Sequence, residues 1–191
     1  MPKPNLRENI LTAGLETLHA RGFNATSVQD ITDAAGVPKG SFYNHFVSKE
    51  DLGAAVVGVY AEKVAVRRRA LRDPALAPLA RIRSYFEGMI ASGRPSGGPG
   101  CLLGNFGAEL SNQSPAIRER VCAAFDDWRH ALAQAVAEAQ RAGEMSGDGD
   151  PDLLASFVID AWEGAVLRSK VEQSRAPLNA FLDVVFSKIL A

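Results

Sequence analysis

Residues 26–52 read TSVQDITDAAGVPKGSFYNHFVSKEDL, and this pattern leaves the segment few ways to fold. Thr26 is a suitable N-cap, and Gln29 three positions on completes a capping box. Val28, Ile31 and Ala35 follow at helical spacing and face inward. Gly36 falls where this helix has to stop, because glycine takes a left-handed cap without strain. Val37 fills the angle beyond it. Pro38 has no N–H to leave unpaired and suits the start of a second helix, expected over residues 39–45. Phe42 and Phe46, four apart, anchor its inner face. Lys39, Gly40, Ser41, Tyr43, Asn44 and His45 are left facing outward. Ser48 caps a further helix with Asp51 as its partner. Lys49 sits in that helix's first turn, where the dipole disfavours a cation unless an anion such as a phosphate lies near. Two short helices joined by a glycine turn, the second polar on its outer face, make a helix-turn-helix shaped for a duplex-DNA major groove.

The stretch GVPKGSFYNHFVSKEDL strongly resembles the N-terminal DNA-binding domain of the TetR family of transcriptional regulators. The family pattern Gly-Val-x-x-Gly-x-x-Tyr-x-x-Phe-x-x-Lys falls on Gly36, Val37, Gly40, Tyr43, Phe46 and Lys49. The specific likeness covers about residues 6–55, and the rest of the chain agrees in length and helical character. A structural αα-hairpin in another helical protein would leave the polar outer face of residues 39–45 without a purpose. In the helix-turn-helix, Gln29, Lys39 and Ser41 are expected nearest base edges, where lysine donates to guanine and glutamine pairs with adenine. Gly40 permits close approach to the groove, and Asn44 faces it. Thr26, Ser27, Tyr43, His45 and Lys49 are expected on phosphates, which position the protein without reading sequence.

Composition is compatible with this and adds limits. The net charge is −1, so no global basic field announces nucleic acid. Within residues 1–50, Lys3, Arg7, Arg21, Lys39 and Lys49 are matched by Glu8, Glu16, Asp30, Asp33 and Glu50. A hydrophobic content of 47% over 191 residues is enough for a substantial core. There is no run of ~18 apolar residues to span a membrane and no apolar stretch of signal-peptide type, so a soluble, cytoplasmic protein is expected. The chain has 2 cysteines, Cys101 and Cys122, and 3 scattered histidines, which suggest neither a disulfide framework nor a metal site.

The fold expected is all-α, about nine helices: a three-helix head over residues 1–47 and a helical body over residues 48–191. The first helix covers residues 5–21 and ends at Gly22, and the fourth runs from Ser48 to about Leu71. Asp73-Pro74, Ser114-Pro115 and Asp150-Pro151 each place a capping residue before proline and are expected to open later helices, with Pro177 opening the last. GRPSGGPG at 93–100 cannot be helical, and GEMSGDG at 143–149 reads as a flexible loop and a candidate for disorder.

The resemblance implies that the body dimerises and binds a small effector. The last two helices, expected over 152–173 and 177–190, are apolar on more than one face and need partners on more than one side. The family makes a four-helix bundle from them across a two-fold axis, which suits two recognition helices spaced about one DNA turn, ~34–36 Å. Effector-lining candidates are Tyr85, Phe86, Met89, Cys101, Phe106, Phe125, Trp128, Phe157 and Trp162, each of which also suits ordinary core. Glu109, Glu163 and Arg168 interrupt apolar surroundings, and a buried charge there needs a partner. Cys101 follows GGPG at a helix start, where the dipole favours the thiolate. GCLLGNFGAEL resembles a TetR subgroup in which some members sense electrophiles or unsaturated small molecules through a cysteine near this point. Cys122, inside a helix, reads as structural.

The implied mechanism is two-state: effector binding tilts the fourth helix and costs the heads their half-site spacing. Repression rather than activation is likewise what the family implies. No nucleophile-and-base pair and no Gly-rich phosphate loop after a strand is legible, so neither an enzyme nor a cofactor is expected. A pure scaffold is the remaining rival, separated by whether the protein ignores DNA.

Overall fold

The computed structural model describes residues 5–93 and 98–191. Among these it has nine α-helices and no strand: α1 (Leu6–Arg21), α2 (Val28–Ala35), α3 (Lys39–Phe42), α4 (Lys49–Arg68), α5 (Pro78–Ser92), α6 (Leu102–Leu110), α7 (Pro115–Arg141), α8 (Pro151–Glu172) and α9 (Ala176–Val184). A 3-10 turn, Arg69–Arg72, continues α4, and a π-helical turn, Val185–Ile189, continues α9. The chain is therefore all-α with about nine helices, as its periodicity predicts. The break expected at 93–100 falls largely on residues 94–97, outside the described residues. Two compact units form, residues 1–62 with 101–124 and residues 63–100 with 125–191. The division falls within α4 and within α7, so each of these helices belongs to both.

In the first unit, α1 packs on α2 and α3. Ile10, Leu18, Ile31, Phe42, Leu52, Val56, Val57, Leu102 and Phe106 are fully enclosed. α1 and α4 cross closely at Gly14, where a Cβ would lie 3.0 Å from Leu52. At Gly53 on α4 a Cβ would lie 2.9 Å from the Phe23 ring and 3.1 Å from Ile117 of α7. Cores packed this tightly register the change of a single methyl.

The capping of α2 differs from the sequence expectation by one residue. Ser27, not Thr26, is the N-cap: its hydroxyl accepts from the Asp30 N–H at 3.1 Å, and the Asp30 carboxylate accepts from the Ser27 N–H at 2.8 Å. The Ser27 hydroxyl also donates to Asp30. Two overlapping frames compete here, and the one with a carboxylate at the third position wins because a negative charge suits a helix N-terminus. Thr26 is committed elsewhere, as its hydroxyl donates to the Gly22 carbonyl at 2.7 Å. Gly36 ends α2 in the left-handed conformation, φ 68°, as expected.

Three other expectations change. Asp73-Pro74 does not open a helix: the Asp73 carboxylate accepts from the Ala75 N–H at 2.9 Å, an Asx turn, and α5 begins at Pro78. The loop at 143–149 is anchored. Met145 is buried, the Gln140 amide donates to the Gly149 carbonyl at 2.7 Å, and Glu144 accepts from the Leu79 N–H at 2.8 Å. The proline starts at Ser114 and Asp150 form as read, the Asp150 side chain accepting from the Asp152 N–H at 2.9 Å. Cys122 lies exposed on α7, not in the packing.

The second unit is built round an aromatic triangle. Phe86 of α5, Trp162 of α8 and Phe181 of α9 lie with ring centroids 5.0–5.2 Å apart. Such pairs add about 0.5–1.5 kcal/mol each beyond burial.

The capping box makes a prediction. The Ser27 hydroxyl, then the Ser27 N–H, then Arg21 hold the Asp30 carboxyl below its usual range. A depressed carboxylate contributes stability above its unfolded pKa and loses it as pH falls through the folded one. Asp30→Asn is expected to lower the melting temperature at neutral pH, with the gap to the native protein closing below about pH 4. A gap that does not narrow as the pH falls would contradict this.

Candidate nucleic-acid interface

A four-residue helix has no stability of its own, so α3 is held by its surroundings. Phe42 and Phe46 are buried with ring centroids 5.6 Å apart, and the Arg7 guanidinium of α1 sits 5.1 Å from the Phe46 ring. The helix expected over 39–45 stops at Phe42, because residues 43–45 close into turns in which the N–H groups of both His45 and Phe46 donate to the Phe42 carbonyl at 3.0 Å. The outer face is as anticipated. Lys39, Gly40, Tyr43 and Asn44 are exposed, and Ser41 and His45 are half-buried. Tyr43 keeps 57% of its surface exposed while lying edge-on to Phe42. A Cβ built on Gly40 meets nothing within 4 Å, and Gly40 is not among the left-handed glycines. Neither backbone strain nor internal packing requires a glycine at this position.

Not every residue expected at DNA lies free at this surface. Ser27 and Gln29 are exposed, Ser27 bonded within the capping box and Gln29 donating to Asp33 at 2.6 Å. Thr26 is 1% exposed, so its hydroxyl is turned to the interior. The Lys49 ammonium donates to the Phe23 carbonyl at 3.0 Å and the Thr26 carbonyl at 2.8 Å, 4.2 Å from the Phe23 ring. Two carbonyls accept from the cation in the first turn of α4.

The effector-lining candidates fall into three places. Tyr85, Phe86, Trp128 and Trp162 are buried in the second unit, with Met89 packed against them. Phe125 stacks parallel to Trp128 at 6.5 Å and Tyr85 lies edge-on to it at 6.4 Å, while the Trp128 indole N–H is buried with no acceptor among the described residues. Phe106 and Cys101 belong to the first unit. Phe106 is fully buried, edge-on to Phe23 at 5.8 Å. Cys101 is the N-cap residue of α6, half-buried, with the Tyr60 hydroxyl 4.0 Å from its sulfur. Phe157 is in neither interior, being 51% exposed on α8. It belongs to a stripe of Leu153, Phe157, Leu167 and Val171, all exposed, with exposed Asp160 and Gly164 at the intervening helical positions. Arg168 pairs with Glu172 at 2.6 Å in the exposed last turns of the same helix.

One contact beneath this surface is not legible in the sequence. Glu109 of α6 accepts from the Phe23 N–H at 3.2 Å and the Asn24 N–H at 2.7 Å. Its charge among apolar neighbours marked it as needing a partner, but partners 85 and 86 positions away are not a sequence signal.

Residues 10–56 match the family described as bacterial regulatory proteins, tetR family, and residues 78–185 match the tetracyclin repressor-like C-terminal domain. The chain is 39% identical to the HTH-type transcriptional repressor DhaR of Mycobacterium sp. (strain GP1), over 100% of this chain and 95% of that protein. It is 40% identical to the transcriptional regulator AcuR of Cereibacter sphaeroides, over 91% of this chain and 80% of that one. Among solved structures, the reduced form of E. coli NemR is similar with a TM-score of 0.88 at 28% identity, covering 98% of this chain and 97% of that one. The regulatory protein TetR from Rhodobacter sphaeroides is similar at 0.83 with 39% identity, covering 93% and 95%. These relatives are named as regulators and not as enzymes. From its helix-turn-helix through its C-terminal helices, this chain belongs to the TetR family of transcriptional regulators.

Proposed function

We propose that this protein is a repressor that binds a palindromic operator as a homodimer and leaves it when a small-molecule effector binds. Residues 1–47 make the DNA contacts, and residues 48–191 supply the effector site and the dimer interface. The observation that carries the DNA-binding part is the outer face of α3, polar and exposed, with a glycine that nothing inside the protein requires. A groove wall pressed against Gly40 is the remaining reason for it. Lys39, Ser41 and Gln29 read base edges, Gln29 exchanging its bond to Asp33 for one to a base. Ser27, Tyr43, Asn44 and His45 meet the backbone. Thr26 and Lys49 act from beneath, by fixing the turn that leads into α2.

The exposed apolar stripe on α8 supports self-association. An exposed Leu or Phe gains about 1.5–3 kcal/mol on full burial, and a two-fold axis uses each such residue twice. Gly164 within the stripe lets a second helix approach closely. The buried Trp128 N–H supports an effector that carries a hydrogen-bond acceptor, since a buried unpaired donor costs about 1–3 kcal/mol. The effector has to bind the DNA-incompetent form more tightly, because equal affinity for both forms shifts nothing. α4, which belongs to both units, is the element through which the change passes.

Fragments of the source genome, captured on the purified protein and titrated at several salt concentrations, test the DNA reading. A palindromic site bound more tightly than random duplex, with affinity falling as salt rises, is expected. Equal binding to every duplex would overturn it. Gly40→Ala is expected to keep or raise the melting temperature, since alanine is the better helix former, while operator binding weakens by about 1–3 kcal/mol from the intruding methyl. A variant that binds as tightly as the native protein would remove Gly40 from the interface. Phe157→Glu and Leu167→Glu are each expected to halve the mass seen by sedimentation equilibrium. An unchanged mass in both would place the interface elsewhere.

A further inference from the structure

We infer that Glu109 is a positioning residue for DNA binding, acting on the turn between α1 and α2 from a helix that touches no DNA. The inference rests on the DNA-binding reading above. In the turn, residues 22–26, the Gly22 N–H donates to the Leu18 carbonyl of α1 at 2.9 Å and the Thr26 N–H to the Phe23 carbonyl at 3.2 Å, which leaves the Phe23 and Asn24 N–H groups to side-chain partners. Glu109 takes the N–H groups of Phe23 and Asn24, at 3.2 and 2.7 Å, one on each carboxylate oxygen. Lys49 takes the carbonyls of Phe23 and Thr26 from α4. An anion thus holds two donors and a cation holds two acceptors of one five-residue turn.

Gly22 shows that the fit is specific. Its φ is +87°, which a side chain rarely adopts, and a Cβ there would stand 2.7 Å from Oε1 of Glu109. The carboxylate occupies the space the glycine leaves. The turn leads directly into Ser27, the N-cap of α2, and α2 packs on α3. Where the two N–H groups are pinned, the start of α2 is pinned with them, and the outer face of α3 moves with it. An unpinned turn samples other entry angles into α2, and only a fraction of molecules then present the groove-fitting geometry.

The test compares the native full-length protein with Glu109→Gln and Glu109→Ala. Glu109→Gln keeps the size but sets an NH2 group against one of the two N–H groups. Three quantities are read: affinity for the selected operator, affinity for random duplex, and amide hydrogen exchange over residues 22–27. The loss of a hydrogen bond to a charged group predicts about a tenfold fall in operator affinity and a similar gain in exchange at the turn. Random-duplex affinity, which depends on phosphate contacts, should change much less, and the melting temperature should move by no more than a few degrees. Operator affinity and exchange equal to the native protein's would overturn the proposal. So would operator and random-duplex affinities that fall together with a collapse in melting temperature, which is the mark of a merely structural residue. The two failures separate cleanly: a native protein that selects no duplex sinks the regulator reading and this one with it, whereas a variant that selects like the native protein sinks only the role of Glu109.

Discussion

A turn of five residues connects the first helix of this protein to its helix-turn-helix, and four polar groups of its backbone, the N–H groups of Phe23 and Asn24 and the carbonyls of Phe23 and Thr26, take partners from side chains outside the turn. Lys49 and Glu109 provide them from α4 and α6. The rest of the head depends on this arrangement. α2 begins two residues beyond the turn, α3 lies on α2, and α3 at a single turn's length has no orientation apart from what its neighbours impose. The outer face of α3 is therefore placed by residues that are not on it. A charge near a DNA-binding surface invites the explanation that it meets a phosphate, and Lys49 shows that the protein's own carbonyls can make the prior claim.

The recognition surface also separates two demands that usually coincide. Phe42 and Phe46 meet the demand of the core, buried and mutually in contact. Gly40 and Tyr43 meet neither that demand nor the demand of helix stability: the one is a poor helix former, the other an aromatic ring left in water. Residues that break local rules without internal compensation are where an external partner is to be sought. The outer face of α8, with four large apolar side chains in solvent, breaks the rules in the same way.

Much of this was legible in the amino-acid order, and the remainder was hidden for identifiable causes. The positions of Gly36, Pro38, Phe42 and Phe46 settle the helix-turn-helix because each is tied to a local backbone or packing requirement. The proline starts at Ser114 and Asp150 are legible for the same reason. Asp73-Pro74 looks identical in sequence and makes a turn instead, because an aspartate side chain caps a helix or closes a turn with the same hydrogen bond, and the packing of the residues after the proline decides between them. Thr26-Ser27 offers two capping frames, and the choice depends on Thr26 being drawn inward to Gly22, which the sequence does not show. The partners of Lys49 and Glu109 lie about 25 and 85 positions away, beyond any periodicity. Phe157 suits a buried site and an outer stripe equally until the rotation of α8 is known. Short-range chemistry was readable, and long-range pairing was not.

The chain has 2 tryptophans, and both Trp128 and Trp162 lie in the second unit among Tyr85, Phe86 and Phe181. The first unit, which contains the helix-turn-helix, holds none. Light absorbed near 295 nm therefore excites one half of the protein alone, and the emission reports the polarity and quenching around the aromatic core while the helix-turn-helix stays dark. The protein carries its own optical probe of this aromatic core, one that a bound duplex would not obscure by its own absorption.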